Sequence, residues 1–479
     1  MQNNTSASNR TRDLRWVICG MLFLATTVNY MDRQVLSLTW KDFIAPDFGW
    51  DYSDYGRIGA IFSIVYAIAN VFSGRIIDWL GTRKGYLWAI GIWSVGACLH
   101  ALCGWAAQQG LVLETASKIT GVAAGSASLI TMTSVWFFIA ARVVLATGES
   151  GNFPAAIKAT AEFFPKKHRA FATSIFNAGS TIGALIAPLT IPSLAAFFRD
   201  HGVGHGWEMA FIIIGALGFL WMALWVFIYP KQGEGTKRYA EAEEEEDETT
   251  AADEKKASFL ECISMKNTWG IVLGKFLTDG VWWFFLFWTP TYISDVCHLM
   301  TEQTEAKWMM FTLYAITMLS LLGGKLPTIL INRTGKDAYT CRMRAMLVFA
   351  VVPLLGLFAM PLGNVSNWLT IALIGLVGAA HQSWSANLFS VGSDLFPRNT
   401  VATITGINGM AGGLSSFLIN LGSGELLSYI ERPDVNFHFL MFEGKEAGYY
   451  LIFCYCSVAY LLGWIVLKTL TSTPKNLKA

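Results

Sequence analysis

Twelve apolar stretches, each close to a bilayer's thickness in helical length, recur from one end of this chain to the other. A helix of about 20 residues crosses the roughly 30 Å hydrocarbon core of a membrane. Inside that core every backbone N–H and C=O must be satisfied without water, which leaves the helix as the form open to a single apolar run. This feature outranks the length of 479 residues, which in a water-soluble protein would predict about three domains. Charged residues make up 14%, against about 25% in an ordinary soluble domain. The pattern predicts helices at 15–38, 55–78, 85–107, 129–155, 169–197, 208–229, 268–293, 306–331, 340–362, 366–392, 400–428 and 447–470. The stretch 108–133 is longer than a simple loop needs, and its pattern yields no assignment.

Arg10, Arg12 and Arg15 precede the first apolar run, but that run is too long for a cleaved signal and lacks a small-residue cleavage site, so it reads as the first span. With twelve spans, most of the 35 Lys and Arg residues collect on the side that holds both termini. Positive loops stay inside, which predicts both termini in the cytoplasm. A net charge of +1 offers nothing to nucleic acid. The eight cysteines form no CxxC pair and read as reduced packing residues. No metal site and no cofactor are expected.

Residues 231–266 include "YAEAEEEEDETTAADEKK", an acidic run that cannot bury itself and reads as a solvated linker. On either side of it the chain repeats. "EFFPKKHRAFATSIFNAG" at 162–179 matches "DLFPRNTVATITGINGM" at 394–410 with one gap, and each copy turns at Phe-Pro and opens a helix. The predicted organisation is a six-helix half at 1–230, the linker at 231–266 and a second six-helix half at 267–479, a paired architecture with a midline cavity that many secondary transporters use.

Charges inside the spans carry the chemistry. Asp32 and Arg33 stand together in the first, and Arg142 and Glu149 lie seven residues apart, about two turns, on one face of the fourth. A charge at mid-membrane costs on the order of 2.5–3.5 kcal/mol on insertion scales, so such residues face protein or a wet cavity. A purely structural cluster is a poor explanation, because desolvation cancels much of the attraction in a buried pair. Sharing one cavity, the four sum to zero. Protonating Asp32 and Glu149 leaves two arginines without counter-charges, ready to grip a carboxylate with paired hydrogen bonds. Proton and anion then favour each other's binding, as a symporter requires.

Other spans add polar groups suited to a polyhydroxylated ligand: Tyr30, Tyr66, Asn177, Ser180, Gln382, Ser383 and Asn408. Helix–helix hydrogen bonds account for some of them. Trp283 is expected to face inward as a platform for a sugar ring, whereas His381 reads as a packed helix residue. Lys275 and Asp279 are spaced for an i,i+4 pair. Gly406, Gly409 and Gly412 predict close helix contact. The loop "GRIIDWLGTRKG" holds Gly74, Asp78, Gly81, Arg83 and Lys84, and resembles the gating loop of the major facilitator superfamily. In that pattern the Gly allows close helix contact and the Asp pairs in one conformation only. Trp79 replaces the basic residue that usually follows the Asp.

Together with "NYMDRQVLSL", "GESGNFPAAIKATAEFFP", "FNAGSTIGALIAP", "KFLTDGVWWFFLFWTPTYI" and "HQSWSANLFSVGSDLFP", the chain resembles the anion:cation symporters of that superfamily, and within them the bacterial hexuronate transporters. The resemblance implies a twelve-helix membrane protein that imports sugar acids such as glucuronate or galacturonate across a bacterial inner membrane, driven by protons and working as a monomer. It implies that Asp32 and Glu149 carry protons, that Arg33 binds the carboxylate, and that Arg142 links the two by pairing with Glu149. Tyr30, Tyr66, Ser180, Gln382, Ser383 and Asn408 would surround the sugar. An exchanger or exporter of another organic anion, an aldonate, aldarate or dicarboxylate, is the rival on the same fold. A membrane enzyme is disfavoured, since the chain has no HExxH, no GxSxG and no Cys/His cluster with metal spacing.

Overall fold

The structure is a computed structural model that describes residues 2–123, 125–164, 166–230, 259–396 and 398–471. Long helices dominate it: α1 (Gln2–Thr39), α2 (Tyr52–Leu80), α3 (Thr82–Ala107), α4 (Gly110–Thr120), α5 (Ala127–Glu149), α6 (Asn152–Phe163), α7 (Lys166–Asp200) and α8 (Trp207–Ile228). After the acidic run come α9 (Lys266–Val296), α10 (Thr304–Thr317), α11 (Leu326–Thr334), α12 (Ala338–Val351), α13 (Asn367–Leu395), α14 (Arg398–Ile430) and α15 (Gly444–Leu470). Among the described residues, ten helical segments are long and apolar enough to cross a membrane. The helices α13 and α14 occupy the positions predicted for the tenth and eleventh spans. The chain is an integral membrane protein with the predicted all-helical architecture.

Some predicted helices are interrupted, and the unassigned stretch takes on structure. The fourth helix, predicted at 129–155, breaks into α5 and α6 at Ser150-Gly151, where an added Cβ on Gly151 would press on the Ala89 methyl. The segment 306–331 is three helical pieces, with Ser320–Gly323 between α10 and α11. The unassigned stretch 108–133 contains α4, a short helix with no buried residue, closed by Gly121 in the left-handed region at φ 73°. Residues 231–258 of the acidic linker lie outside the described residues, and Phe259–Ser264 forms a short helix ahead of α9.

The internal repeat is visible in local geometry. Helix α6 ends at Phe164 (φ −118°, ψ 131°) and α13 at Phe396 (φ −122°, ψ 147°). Both precede a proline, whose ring disfavours the helical region for the residue before it. The same dipeptide therefore stops a helix in the same way in each copy.

By packing, the chain divides into two compact units. The first holds the chain up to Leu36 and the described residues from Ile68 to Pro230; the second holds Ser37–Ala67 and the described residues from Phe259 onward. In the first, α3 packs against α5 and α8. Gly148 sets that contact, because a Cβ there would strike the backbone N of Trp93 and the Ala89 carbonyl. On the other flank, Gly183 of α7 lies so close to α1 that its Cβ would meet the Thr27 carbonyl at 2.5 Å and the Tyr30 Cβ at 2.9 Å. In the second unit, α9 packs on α14 and α15, and α10 on α13. Asp295, 3% exposed, ties this unit together at one end of α9. It accepts hydrogen bonds from the Tyr52 hydroxyl (2.7 Å) and the Tyr449 hydroxyl (2.8 Å), with Lys41 at 3.4 Å and Lys445 at 3.6 Å. All eight cysteines are free.

Candidate functional site

In the first unit, α1 and α5 bring the four predicted charges together. Asp32, Arg33, Arg142 and Glu149 are 1%, 2%, 3% and 0% exposed. Arg33 donates to Glu149 Oε2 from both Nε (2.9 Å) and Nη2 (2.6 Å). Its guanidinium also sits over the Tyr30 ring, 5.1 Å from the centroid. Arg142 lies within electrostatic reach of both acids, Asp32 and Glu149. The hydrogen bonds on Glu149 come from Arg33, a contact that the family resemblance did not imply. The cause is steric. Gly148 draws α5 tight against α3, and Gly183 fixes the flank of α1 at Tyr30, so Arg33, three residues on, meets Glu149.

The cluster is only partly satisfied by hydrogen bonds. Neither oxygen of Asp32 has a hydrogen-bond partner among the described residues, and the same holds for Glu149 Oε1 and the side-chain amide of Asn29. Buried polar groups are normally paired, so these atoms set the cluster apart from the apolar packing around it. Two acids and two arginines there can exchange partners as protons arrive or leave.

Three neighbours escaped the sequence reading: Asn29 on α1, and Trp93 and His100 on α3. All are buried. Trp93 lies beside Asp32, and His100 lies within electrostatic reach of Arg142. Their separation of seven residues, the same as between Arg142 and Glu149, was the available signal: polar atoms two turns apart on one face of an apolar helix.

The remaining predicted residues are distributed as follows. Asn177 is exposed on α7, and the Ser180 hydroxyl donates to the Asn177 carbonyl at 2.7 Å. In the second unit Tyr66 and Trp283 meet edge to face at 6.5 Å. On α13, Gln382 is half-buried, while Ser383 is buried, packs against Gly323 and donates to the Ala379 carbonyl at 2.9 Å. Asn408 is buried on α14 beside a small pocket lined by Ile271, Leu388, Phe389 and Thr405, and its Oδ1 has no hydrogen-bond partner among the described residues. Lys275 and Asp279 form the expected pair at 2.7 Å. His381 is packed as expected: it stacks on Trp282, and its Nδ1 lies 2.8 Å from the Tyr460 hydroxyl.

In the loop between α2 and α3, Gly81 takes φ 76°, a left-handed conformation that glycine adopts without strain. Asp78 pairs with Lys158 at 2.8 Å, and Arg83 donates to the Val226 carbonyl at 2.7 Å, while Lys84 is exposed. The close-contact expectation fails at Gly74, Gly406 and Gly409, where an added Cβ would meet nothing within 4 Å. It holds at Gly412, which is pressed against Asp279 and Lys275.

Comparison with known proteins places the chain as a whole. The profile of the Major Facilitator Superfamily matches residues 22–419. The hexuronate transporter of Escherichia coli (strain K12) is 29% identical over 432 residues, covering 88% of this chain and 89% of that protein. The galacturonate transporter of Dickeya chrysanthemi is 26% identical over 325 residues, 66% of this chain and 83% of that protein. A solved structure of a bacterial homologue of the human lysosomal transporter Spinster superposes with a TM-score of 0.67 over 96% of this chain and 99% of that one; at 19% identity it supports the fold alone. An all-helical membrane chain with a buried acid–arginine cluster, matched over most of its length by that profile and by named transporters, belongs to the Major Facilitator Superfamily and is a transporter, not an enzyme.

Proposed function

We propose that this transporter imports a sugar-acid monoanion, a hexuronate such as glucuronate or galacturonate, together with protons, across a bacterial inner membrane with both termini in the cytoplasm. The observation that carries the reading is the buried set of Asp32, Arg33, Arg142 and Glu149 in one unit, with Glu149 holding Arg33. A substrate carboxylate and the Glu149 carboxylate compete for the same guanidinium. Protonating Glu149 weakens its hold on Arg33 and frees two donors for the substrate, so proton binding raises anion affinity and the reverse. Asp32 acts on Arg142 in the same sense. The names of the E. coli and Dickeya relatives support a uronate as the anion.

Within this reading Asp32 and Glu149 carry protons, and Arg33 and Arg142 handle the carboxylate. Tyr30, Asn177 and Ser180 of the first unit, and Tyr66, Trp283, Gln382, Ser383 and Asn408 of the second, are assigned to the hydroxyls and ring of the sugar. Gly74, Asp78, Gly81, Arg83 and Lys84 are assigned to gating through the Asp78–Lys158 pair. The test is uptake of labelled glucuronate into proteoliposomes with an imposed pH gradient. Asp32→Asn should abolish accumulation against a gradient while retaining exchange of internal for external substrate. Full accumulation by that variant would overturn the proton role, and saturation by an aldarate with no response to a uronate would overturn the substrate.

A further inference from the structure

We infer that Lys275 and Asp279 are specificity-determining residues: a self-neutralised pair that takes a hydroxyl at the polyol end of the sugar acid and denies the place to a second carboxylate. The inference rests on the sugar-acid substrate proposed above and adds to it a reason for a monoanion.

The pair lies in the second unit, where α9 packs against α14. Lys275 Nζ is 2.7 Å from each carboxylate oxygen of Asp279, and the two side chains are 8% and 15% exposed. Gly412 of α14 makes room for them. An added Cβ there would run into Asp279 Oδ2 and come within 3.1 Å of Lys275 Cε. Asn408 stands four residues earlier, one turn back on the same face of α14. It is buried, and its Oδ1 has no hydrogen-bond partner among the described residues. The small pocket that Asn408 borders is lined by Ile271, one turn before Lys275 on α9, and by Phe389 of α13. The Lys275 ammonium stands over that Phe389 ring, 5.1 Å from its centroid. Phe389 therefore borders both the ammonium and the pocket that holds the unmet amide oxygen.

An ammonium carries three hydrogens. With one directed at each oxygen of Asp279, the third finds no acceptor among the described residues. The place thus offers a spare donor at Lys275, a spare acceptor at Asn408 Oδ1 and a net charge of zero. A hydroxyl suits all three, since its oxygen accepts and its hydrogen donates. A second carboxylate suits the donor alone. It brings no hydrogen for Asn408 Oδ1, and it stands against the Asp279 carboxylate. Like charges out of water repel strongly, and a buried acceptor left unmet is costly. Selectivity of this kind comes from a penalty built against the wrong ligand. Glucuronate in its ring form and glucarate differ at a single carbon, which bears a hydroxyl in the first and is a carboxylate in the second. The pair therefore admits the uronate and turns away the aldarate.

The test is titration calorimetry of the purified transporter with glucuronate and with glucarate, read as the ratio of the two dissociation constants. Wild-type protein should favour glucuronate. Asp279→Asn keeps the shape of the side chain but leaves Lys275 uncompensated. It should move the ratio toward glucarate by about tenfold, the worth of one charge-assisted hydrogen bond. Adding Lys275→Gln to that variant should abolish the gain. An unmoved ratio in Asp279→Asn, or a gain that survives Lys275→Gln, overturns the inference and leaves the proposed function intact. Gly412→Ala supplies the comparison where Asp279→Asn fails to fold. Its methyl displaces the Asp279 carboxylate from Lys275 with every charge retained, so the ratio should move the same way, and an unmoved ratio counts equally against the inference. Wild-type protein that binds neither sugar acid, or glucarate alone, overturns the proposed substrate and this inference together.

Discussion

Arg33 is the residue on which the cluster's energetics turn. Its two hydrogen bonds to a single Glu149 oxygen, both groups being buried, form a pair that is worth little against an apolar replacement but costs much to break. Arg33→Leu strands a buried carboxylate and should destabilise the protein by about 3–5 kcal/mol. The double replacement Arg33→Leu with Glu149→Leu should recover most of that loss. Thermal unfolding in detergent, compared across the three proteins, checks the order; a double variant less stable than the single one would contradict it. The presence and spacing of these charges were legible in the sequence, because a guanidinium in an apolar run stands out by composition alone. Their partners were not. Arg142 and Glu149 share a helical face, yet the hydrogen bonds on Glu149 come from Arg33, which is 116 residues away in the chain.

At the scale of helices, backbone approach decides side-chain meetings. Gly148 sits against the backbone of α3, where nothing flexible can yield. Gly148→Ala should therefore force α5 off α3, at a cost of about 1–3 kcal/mol, and reduce uptake with it, because Glu149 is the next residue. Gly74→Ala, with open space around the new methyl, should leave the melting temperature unchanged. The contrast is checked by melting curves and initial uptake rates side by side. Both glycines look alike in sequence, and motif reading favoured Gly74; contact distance is a property of two helices, so one chain segment does not encode it. Within the second unit, Asp295 gathers two tyrosine hydroxyls and two lysines. Asp295→Ala removes the acceptor for two buried phenol hydroxyls and should lower stability by about 1–3 kcal/mol, more than Asp295→Asn, which keeps an oxygen in place. Equal melting temperatures for the two variants would argue against the hub.

At the scale of the whole molecule, the charge moved per cycle follows from the proposed roles. If Asp32 and Glu149 each take a proton for every monoanion, one net positive charge crosses with the substrate. An inside-negative potential should then accelerate uptake even with no pH gradient. A potassium diffusion potential across proteoliposomes measures this directly, and indifference to the potential would exclude that stoichiometry. The span pattern that underlies a membrane transporter was legible from end to end. The break at Ser150-Gly151 was not, because it depends on the close approach of Gly151 to Ala89 of another helix, and the short helix α4 was not, because with no buried face it leaves no apolar stripe to read.

What the amino-acid sequence determined by itself is one-dimensional: apolar lengths matched to a bilayer, backbone bonds closed within each helix, Phe-Pro stops in both copies of the repeat, and ionisable residues placed where only protein or water can receive them. Each follows from a window of a few turns. What the tertiary structure alone decided is which groups face one another: Arg33 on Glu149, Trp93 beside Asp32, His100 within reach of Arg142. Those meetings depend on the rotation and separation of helices distant in the chain, set by glycine contacts and aromatic packing, and electrostatic energy at such short range changes with every ångström.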